Sequence, residues 1–303
     1  MSDLVLAFFH AEQDPSSLAL FRILFGLLIV ASALHYGRHA HLLLGSDGLV
    51  PVRLWRSGPQ RDRFSVLRYL PDSKYAVFGV VVLHGLAGTL LSVGLLTTAA
   101  AALAFVTTVS LHHRNIHVMH SGDALMRSLC FLLIFADSGR RWSLDAMWTD
   151  SWATSHTTWA LRLMQIQVAA LYLQTAFFKL QGTTWKDGTA SHYATRLLAH
   201  RKRRLPGLLD TRLTHRAATY GALATELAAG ALVWFDQTRY YALAAAACLH
   251  LTLQVLMQMH LFQWMMLASL ILFIPGQDLS AVVHFTPSSP GGALFSVVSL
   301  GTK

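Results

Sequence analysis

Long apolar runs separated by short polar connectors dominate this chain. Runs close to the 20 or so mostly apolar residues that a spanning helix needs recur near 18–37, 75–93, 97–111, 122–137, 157–179, 217–235, 239–258 and 260–275. The pattern predicts an all-α integral membrane protein, a bundle of about eight transmembrane helices. The third and fourth runs are short and the last ends at Pro275-Gly276, so seven spans, or a re-entrant piece, is the alternative count. On the same reading, residues 1–16 form an N-terminal segment and 17–279 the transmembrane domain. Residues 280–303, rich in Ser, Gly and Pro, form a peripheral or flexible tail.

Composition supplies the solvent. Hydrophobic residues make up 54% of the chain, charged residues only 13%, and mean hydropathy is +0.45, which is too apolar for a soluble domain built on one core. The expected location is the cell membrane, multi-pass, with the lipid bilayer as the first partner. The net charge of +9 does not imply nucleic acid, because it is concentrated in two loops on one side of the bundle. One carries Arg38, Arg53, Arg56, Arg61, Arg63, Arg68 and Lys74, the other Lys186, Arg196, Arg201, Lys202, Arg203, Arg204, Arg212 and Arg216. Lys/Arg excess in short loops marks the cytoplasmic face. The run "HRKRRLPG" reads as a topology anchor touching anionic head groups. Cys130 and Cys248 both fall inside spans, too few and too deep for a disulfide framework.

Ionisable groups inside spans are costly and face the bundle interior or a wet cavity. Here they are Arg22, Asp123, Arg127, Arg162, Glu226 and His250. Asp123 and Arg127 are four apart and can pair on one helix face, which leaves Glu226 to pair with Arg22 or Arg127. Gln165, Tyr172 and Lys179 are spaced by seven and His250, Gln254 and Gln258 by four, so two polar stripes imply a site between helices. Two readings of Lys179 follow. It snorkels to the head groups, the commoner fate of a helix-end lysine, or it is a general base dried by neighbours such as Phe177, Phe178 and Leu180. His113, His117 and His120 share a helical spacing but read as solvated interfacial histidines, and no metal is expected.

The motifs "LFRILFGLLIV" and "LLLGSDGLVP", "HHRN" and "GDALMR", "WSLD", "QTAFFKLQGTTWKDGTA", "TEL" with "LVWF", and "FQWMMLASLILFIPG", in this order, resemble the HTTM (horizontally transferred transmembrane) domain family over about 17–275. That family includes the membrane part of the vitamin K-dependent gamma-carboxylases and short stand-alone bacterial members similar to the B component of the sporulation-delaying toxin system. The resemblance implies carboxylase-like lyase or oxygenase chemistry on a peptide or small-protein substrate. Lys179 would be the base acting on vitamin K hydroquinone or another quinone, with Glu226 or His250 as orienting partner. Trp185 would lie near the cofactor, and Arg22, Tyr172 and Gln254 complete the candidate contacts. A supporting histidine of the carboxylases would fall near Gly122, where this chain has Gly122-Asp123. The alternative is a non-enzymatic partner in peptide toxin maturation or export, working beside a companion maturation protein.

Overall fold

The structure, a computed structural model, describes residues 2–59, 61–149 and 156–282. Its helices are α1 (Ser2–His10), α2 (Ser16–Arg38), α3 (Ala40–Leu44), α4 (Val52–Ser57), α5 (Lys74–Val93), α6 (Thr97–Arg114), α7 (Ser121–Leu133), α8 (Leu144–Thr149), α9 (Trp159–Gln181), α10 (Thr183–Lys186), α11 (Ala190–Ala194), α12 (Arg212–Ala231), α13 (Asp236–Leu256), α14 (Phe262–Leu270) and α15 (Gly276–Val282). Among the described residues the strand pairing is slight. Glu12–Gln13 runs antiparallel to His156–Thr157, and Arg201 bridges Met257. The chain is all-α, with a helix at each of the eight places where the apolar runs lie. The tail expected at 280–303 lies outside the described residues from 283 onward.

Two of these helices, α2 and α5, are individually long and apolar enough to cross a membrane. A third appears if Phe262–Phe273 and Gly276–Val282, bent by 100°, are counted as one span. Polar content explains why the other long helices fall short. Helix α9 carries Arg162, Gln165, Gln167, Gln174, Lys179 and Gln181, α12 opens on Arg212, His215 and Arg216 and contains Glu226, and α13 opens on Asp236 and Arg239. Helix α7 has only 13 residues.

Local chemistry sets the helix ends. Asp14 accepts the Ser16 amide at 2.8 Å and starts α2, and Ser73 accepts the Ala76 amide to start α5. Helix α5 stops at Gly94, whose φ of 70° is the left-handed conformation that closes helices. Helix α6 has Leu96 at its N-cap, a residue with no capping side chain. Asp145 supplies the cap from α8, accepting the Leu96 amide at 2.7 Å and the Thr97 amide at 2.8 Å. Burial pushes the Asp145 carboxyl up, but the Thr97 and Leu96 hydrogen bonds and the Arg22 charge outweigh it and hold it below its usual value. The "WSLD" motif is therefore a capping device.

Packing closes the helices around a large central core, with a second apolar cluster that includes Tyr36, Leu44, Trp55, Val80 and Leu111. Helices α2 and α5 are the tightest pair because Gly26 and Gly88 face each other. A Cβ on Gly26 would come within 2.6 Å of the Gly88 carbonyl, and the reverse within 2.7 Å, the close backbone approach that small residues allow between membrane helices. Further pairs run α5 on α6, α6 on α7, α7 on α9, α9 on α12, α12 on α13 and α13 on α14, and α14 returns to α2 and α7. Phe21, Phe25, Ile29, Leu91, Leu129 and Met164 are buried in the centre. Outward faces carry Phe78, Val82, Leu173, Phe177, Leu227, Leu251 and Val255.

Candidate functional site

Helix α9 breaks at Gly182, whose amide bonds the Lys179 carbonyl at 3.0 Å. The short α10 then folds back, bringing Trp185 Cδ1 to 3.2 Å from where a Gly182 Cβ would stand. The turn places the Lys179 ammonium over the Trp185 ring, 4.7 Å from its centroid. On the other side, Lys179 Nζ donates to Glu226 Oε1 of α12. The lysine side chain is 26% exposed and the glutamate 11%, so the pair sits at the rim of the bundle with its carboxylate turned inward. Glu226 Oε2 is buried and has no hydrogen-bond partner. The neighbouring Thr175 hydroxyl is close enough to act on this carboxyl, but by geometry it donates to the carbonyls of Leu171 and Tyr172.

About two turns back along α9, roughly 10 Å by helical rise, Tyr172 forms a second buried group. Its hydroxyl lies 2.7 Å from His250 Nε2 on α13, and His250 Nδ1 lies 2.5 Å from Gln263 Oε1 on α14. Gln263 turns its amide nitrogen to Met259. An oxygen acceptor at Nδ1 requires the proton there, leaving Nε2 to accept from tyrosine. Gln254, one turn beyond His250, has a buried Oε1 without a partner.

Glu226 takes Lys179 as its partner, whereas Arg22 or Arg127 was expected from sequence. Arg22 is held elsewhere. Its guanidinium donates to the carbonyls of Leu91 and Ser92 at the end of α5 and of Ser138, Arg141 and Trp142 in the connection between α7 and α8. This cluster joins the α5–α6 turn, whereas Lys179 lies at the end of α9 against Glu226 in the second half of α12, so the structure does not bring Arg22 together with Glu226. Asp123 does not use Arg127 as its near partner. It lies 3.7 Å from both His112 and His120 and caps α7 by accepting the His120 amide, while Arg127 contacts His113 at 3.1 Å. Gln165 is also apart from the site, donating to the Leu272 carbonyl. Phe177 and Phe178 are 61% and 60% exposed and face outward, so they do not dry the lysine. The ring that lies against the lysine is Trp185.

A cavity of about 330 Å³ was not expected from the sequence. It is lined by His35, Tyr36, His39, His120, Asp123 and His260, among others. Beneath it His112 is buried, with Nδ1 unpartnered. His120 lies two residues before the Gly122 position and is thus a histidine in the neighbourhood where the family resemblance called for one. The Phe262 ring contacts His120 at 6.0 Å and His250 at 6.3 Å between centroids, so a single aromatic ring separates the cavity from the Tyr172–His250 pair. The four-residue spacing of His35 and His39 was a visible signal. Their convergence with His260, more than 200 residues away, was not.

Fold and site together define an all-α helical protein of membrane-associated type, with an acid–base pair at the rim of its bundle. The HTTM domain family matches residues 10–277, and the chain belongs to that family. No solved structure matches it. The "HHRN" and "LLLGSDGLVP" motifs now have a structural reason. Arg114 donates to the Gly45 carbonyl at 2.7 Å and Asn115 to the Leu43 carbonyl at 3.1 Å, tying the end of α6 to the end of α3.

Proposed function

We propose that the protein is a multi-pass membrane enzyme in which the Lys179–Glu226 pair is the base for a lipophilic acid, a quinol, during modification of a peptide or small-protein substrate. The observation that carries this reading is the unpartnered Glu226 Oε2 beside an ion pair that is itself partly shielded. A buried acceptor without a donor is costly, and a ligand hydroxyl would satisfy it. Gln254 Oε1 is a second buried acceptor of the same kind, and a hydroquinone carries two hydroxyl donors. Trp185 offers a ring face beside the lysine.

When bound, a hydroquinone supplies an acidic hydroxyl and a reduced ring for dioxygen chemistry. The chain's own part is proton handling. For Lys179 to act as the base, the proton it shares with Glu226 must pass to the carboxylate, so that the amine takes up the proton of the ligand hydroxyl. The added positive charge then stays beside the ligand oxygen that gave up the proton, in surroundings where such a charge is worth more than in water. Tyr172 and His250 hold a second, preset donor–acceptor pair deeper in the bundle, and the histidine-lined cavity beyond Phe262 offers space for the second reactant. The outward apolar faces of α9, α12 and α13 support burial of these helices in lipid, with their polar residues turned inward.

The test is oxygen uptake by the purified chain in lipid nanodiscs on addition of a reduced naphthoquinone. Uptake above that of empty nanodiscs supports the reading, and its absence with a bound quinol, detected by tryptophan quenching, contradicts it.

A further inference from the structure

The segment that follows Lys179 gathers three groups that the acid–base site does not use. His192 on α11, Asp210 just before α12 and His215 in the first turn of α12 each bring one ligand-type atom to within 4.8 Å of the others. His215 is buried, His192 half-buried and Asp210 exposed at the mouth. His215 Nε2 lies 2.7 Å from Asp210 Oδ1, and Nδ1 lies 3.4 Å from Ser191 Oγ. The His192 and His215 rings meet edge to face, with centroids 5.1 Å apart.

Arg196 completes the cluster. It donates to both Asp210 oxygens, at 2.7 and 2.8 Å, and another of its nitrogens lies 3.4 Å from His215 Nε2. The simplest account is a structural ion-pair network that pins the segment to α12. Two details exceed that account. The ring nitrogens of His192 have no hydrogen bond among the described residues, although the ring is turned against the cluster. His215 Nε2 faces an acceptor-only carboxylate and a donor-only guanidinium together, and one nitrogen serves only one of them at a time.

We propose that His192, Asp210 and His215 form a binding site for a zinc-type divalent metal, with Arg196 holding the cation's place when no metal is bound. Two imidazoles and a carboxylate are a standard three-ligand set for zinc, leaving a fourth position for water or another ligand. Bonds of about 2 Å require the His215–Asp210 contact to open by a few tenths of an ångström and the His192 ring to swing inward. Both are side-chain movements at a half-open mouth. The site is independent of the quinol reading. Bound metal would fasten α11 to the start of α12, the two elements that flank the segment after Lys179.

The experiment is equilibrium dialysis of the tag-free full chain in detergent against zinc chloride, with metal content and thermal unfolding as readouts. The expected result is one zinc per chain and a raised Tm. His192→Asn leaves the Arg196–Asp210–His215 bonds in place and should weaken zinc binding at least tenfold, with the metal-free Tm unchanged. Arg196→Gln removes the competing cation and should tighten binding severalfold. His192→Asn decides the matter alone if Arg196→Gln does not fold. A native chain that takes up no zinc, or a His192→Asn variant that binds as tightly as the native chain, overturns the site and leaves an ion-pair network.

Discussion

Lys179 of α9 and Glu226 of α12 form a single ion pair across 47 residues of sequence, and the second oxygen of that carboxylate faces the interior without a partner. The pair couples two consequences, one for stability and one for chemistry. For stability, removal of one partner leaves the other charge uncompensated in a poorly hydrated place. Fully buried pairs lose about 3–5 kcal/mol on such a change, and the partial exposure of Lys179 lowers the expectation to about 2 kcal/mol. Lys179→Met or Glu226→Leu should each reduce Tm in detergent. The double variant should recover a good part of the loss, as a double-mutant cycle by thermal unfolding will show.

Arg22 is expected to behave as a structural clamp. Its planar, multi-donor guanidinium reaches five carbonyls on two segments, which a lysine ammonium on a flexible stem cannot match. Hydrogen bonds to charged groups contribute about 1.5–3 kcal/mol each, so Arg22→Lys should destabilise by about 3 kcal/mol even though the charge is kept. Ligand binding per folded molecule should be unaltered. A folded Arg22→Lys variant that loses quinol binding would place the arginine in the site after all.

The Asp145 cap predicts an acid-sensitive α6. The folded-state carboxyl lies below its usual value, which is about 3.9 in an unfolded chain. Its contribution is therefore fully present above about pH 4 and is lost as the pH falls through the folded-state value. Asp145→Ala should cost about 1 kcal/mol at neutral pH, the usual worth of an N-cap, and the variant's Tm should fall less steeply below pH 4 than that of the native chain. Parallel Tm profiles would assign the acid sensitivity to other groups.

Topology gives a further check. The basic loops at 38–74 and 180–216 should share the cytoplasmic side. Cysteines introduced at Ser57 and Leu208, both exposed, in a chain with Cys130→Ala and Cys248→Ala, should both resist an impermeant thiol reagent in intact cells. Labelling of both would put the two loops on the outer side, and labelling of one would put them on opposite sides.

Much of the fold was legible because apolar runs bounded by polar connectors coincide with the helices, and because capping chemistry such as Ser73 with Ala76 is local. The site was legible in part. The spacing of Tyr172 with Lys179 and of His250 with Gln254 marked inward stripes, and Tyr172 does meet His250. The partner of Glu226 was not legible, because charge alone does not distinguish Lys179 from Arg22. Arg22 is satisfied by backbone carbonyls, which leave no mark in a sequence. The histidine-lined cavity draws on α2, the start of α7 and the turn before α14, and only packing brings those together. Taken one at a time among the described residues, only α2 and α5 are long and apolar enough to cross a membrane, because the polar residues of α9, α12 and α13 lower the average of those helices.

The most direct test of the account is Lys179→Arg, assayed for quinol-dependent oxygen uptake in nanodiscs alongside quinol binding. A guanidinium keeps the ion pair with Glu226 but does not give up its proton in proteins. The account predicts a folded protein that binds quinol within a few-fold of the native chain and consumes oxygen at the rate of empty nanodiscs. Uptake by Lys179→Arg equal to that of the native chain would contradict it and leave Lys179 as an anchor at the end of its helix.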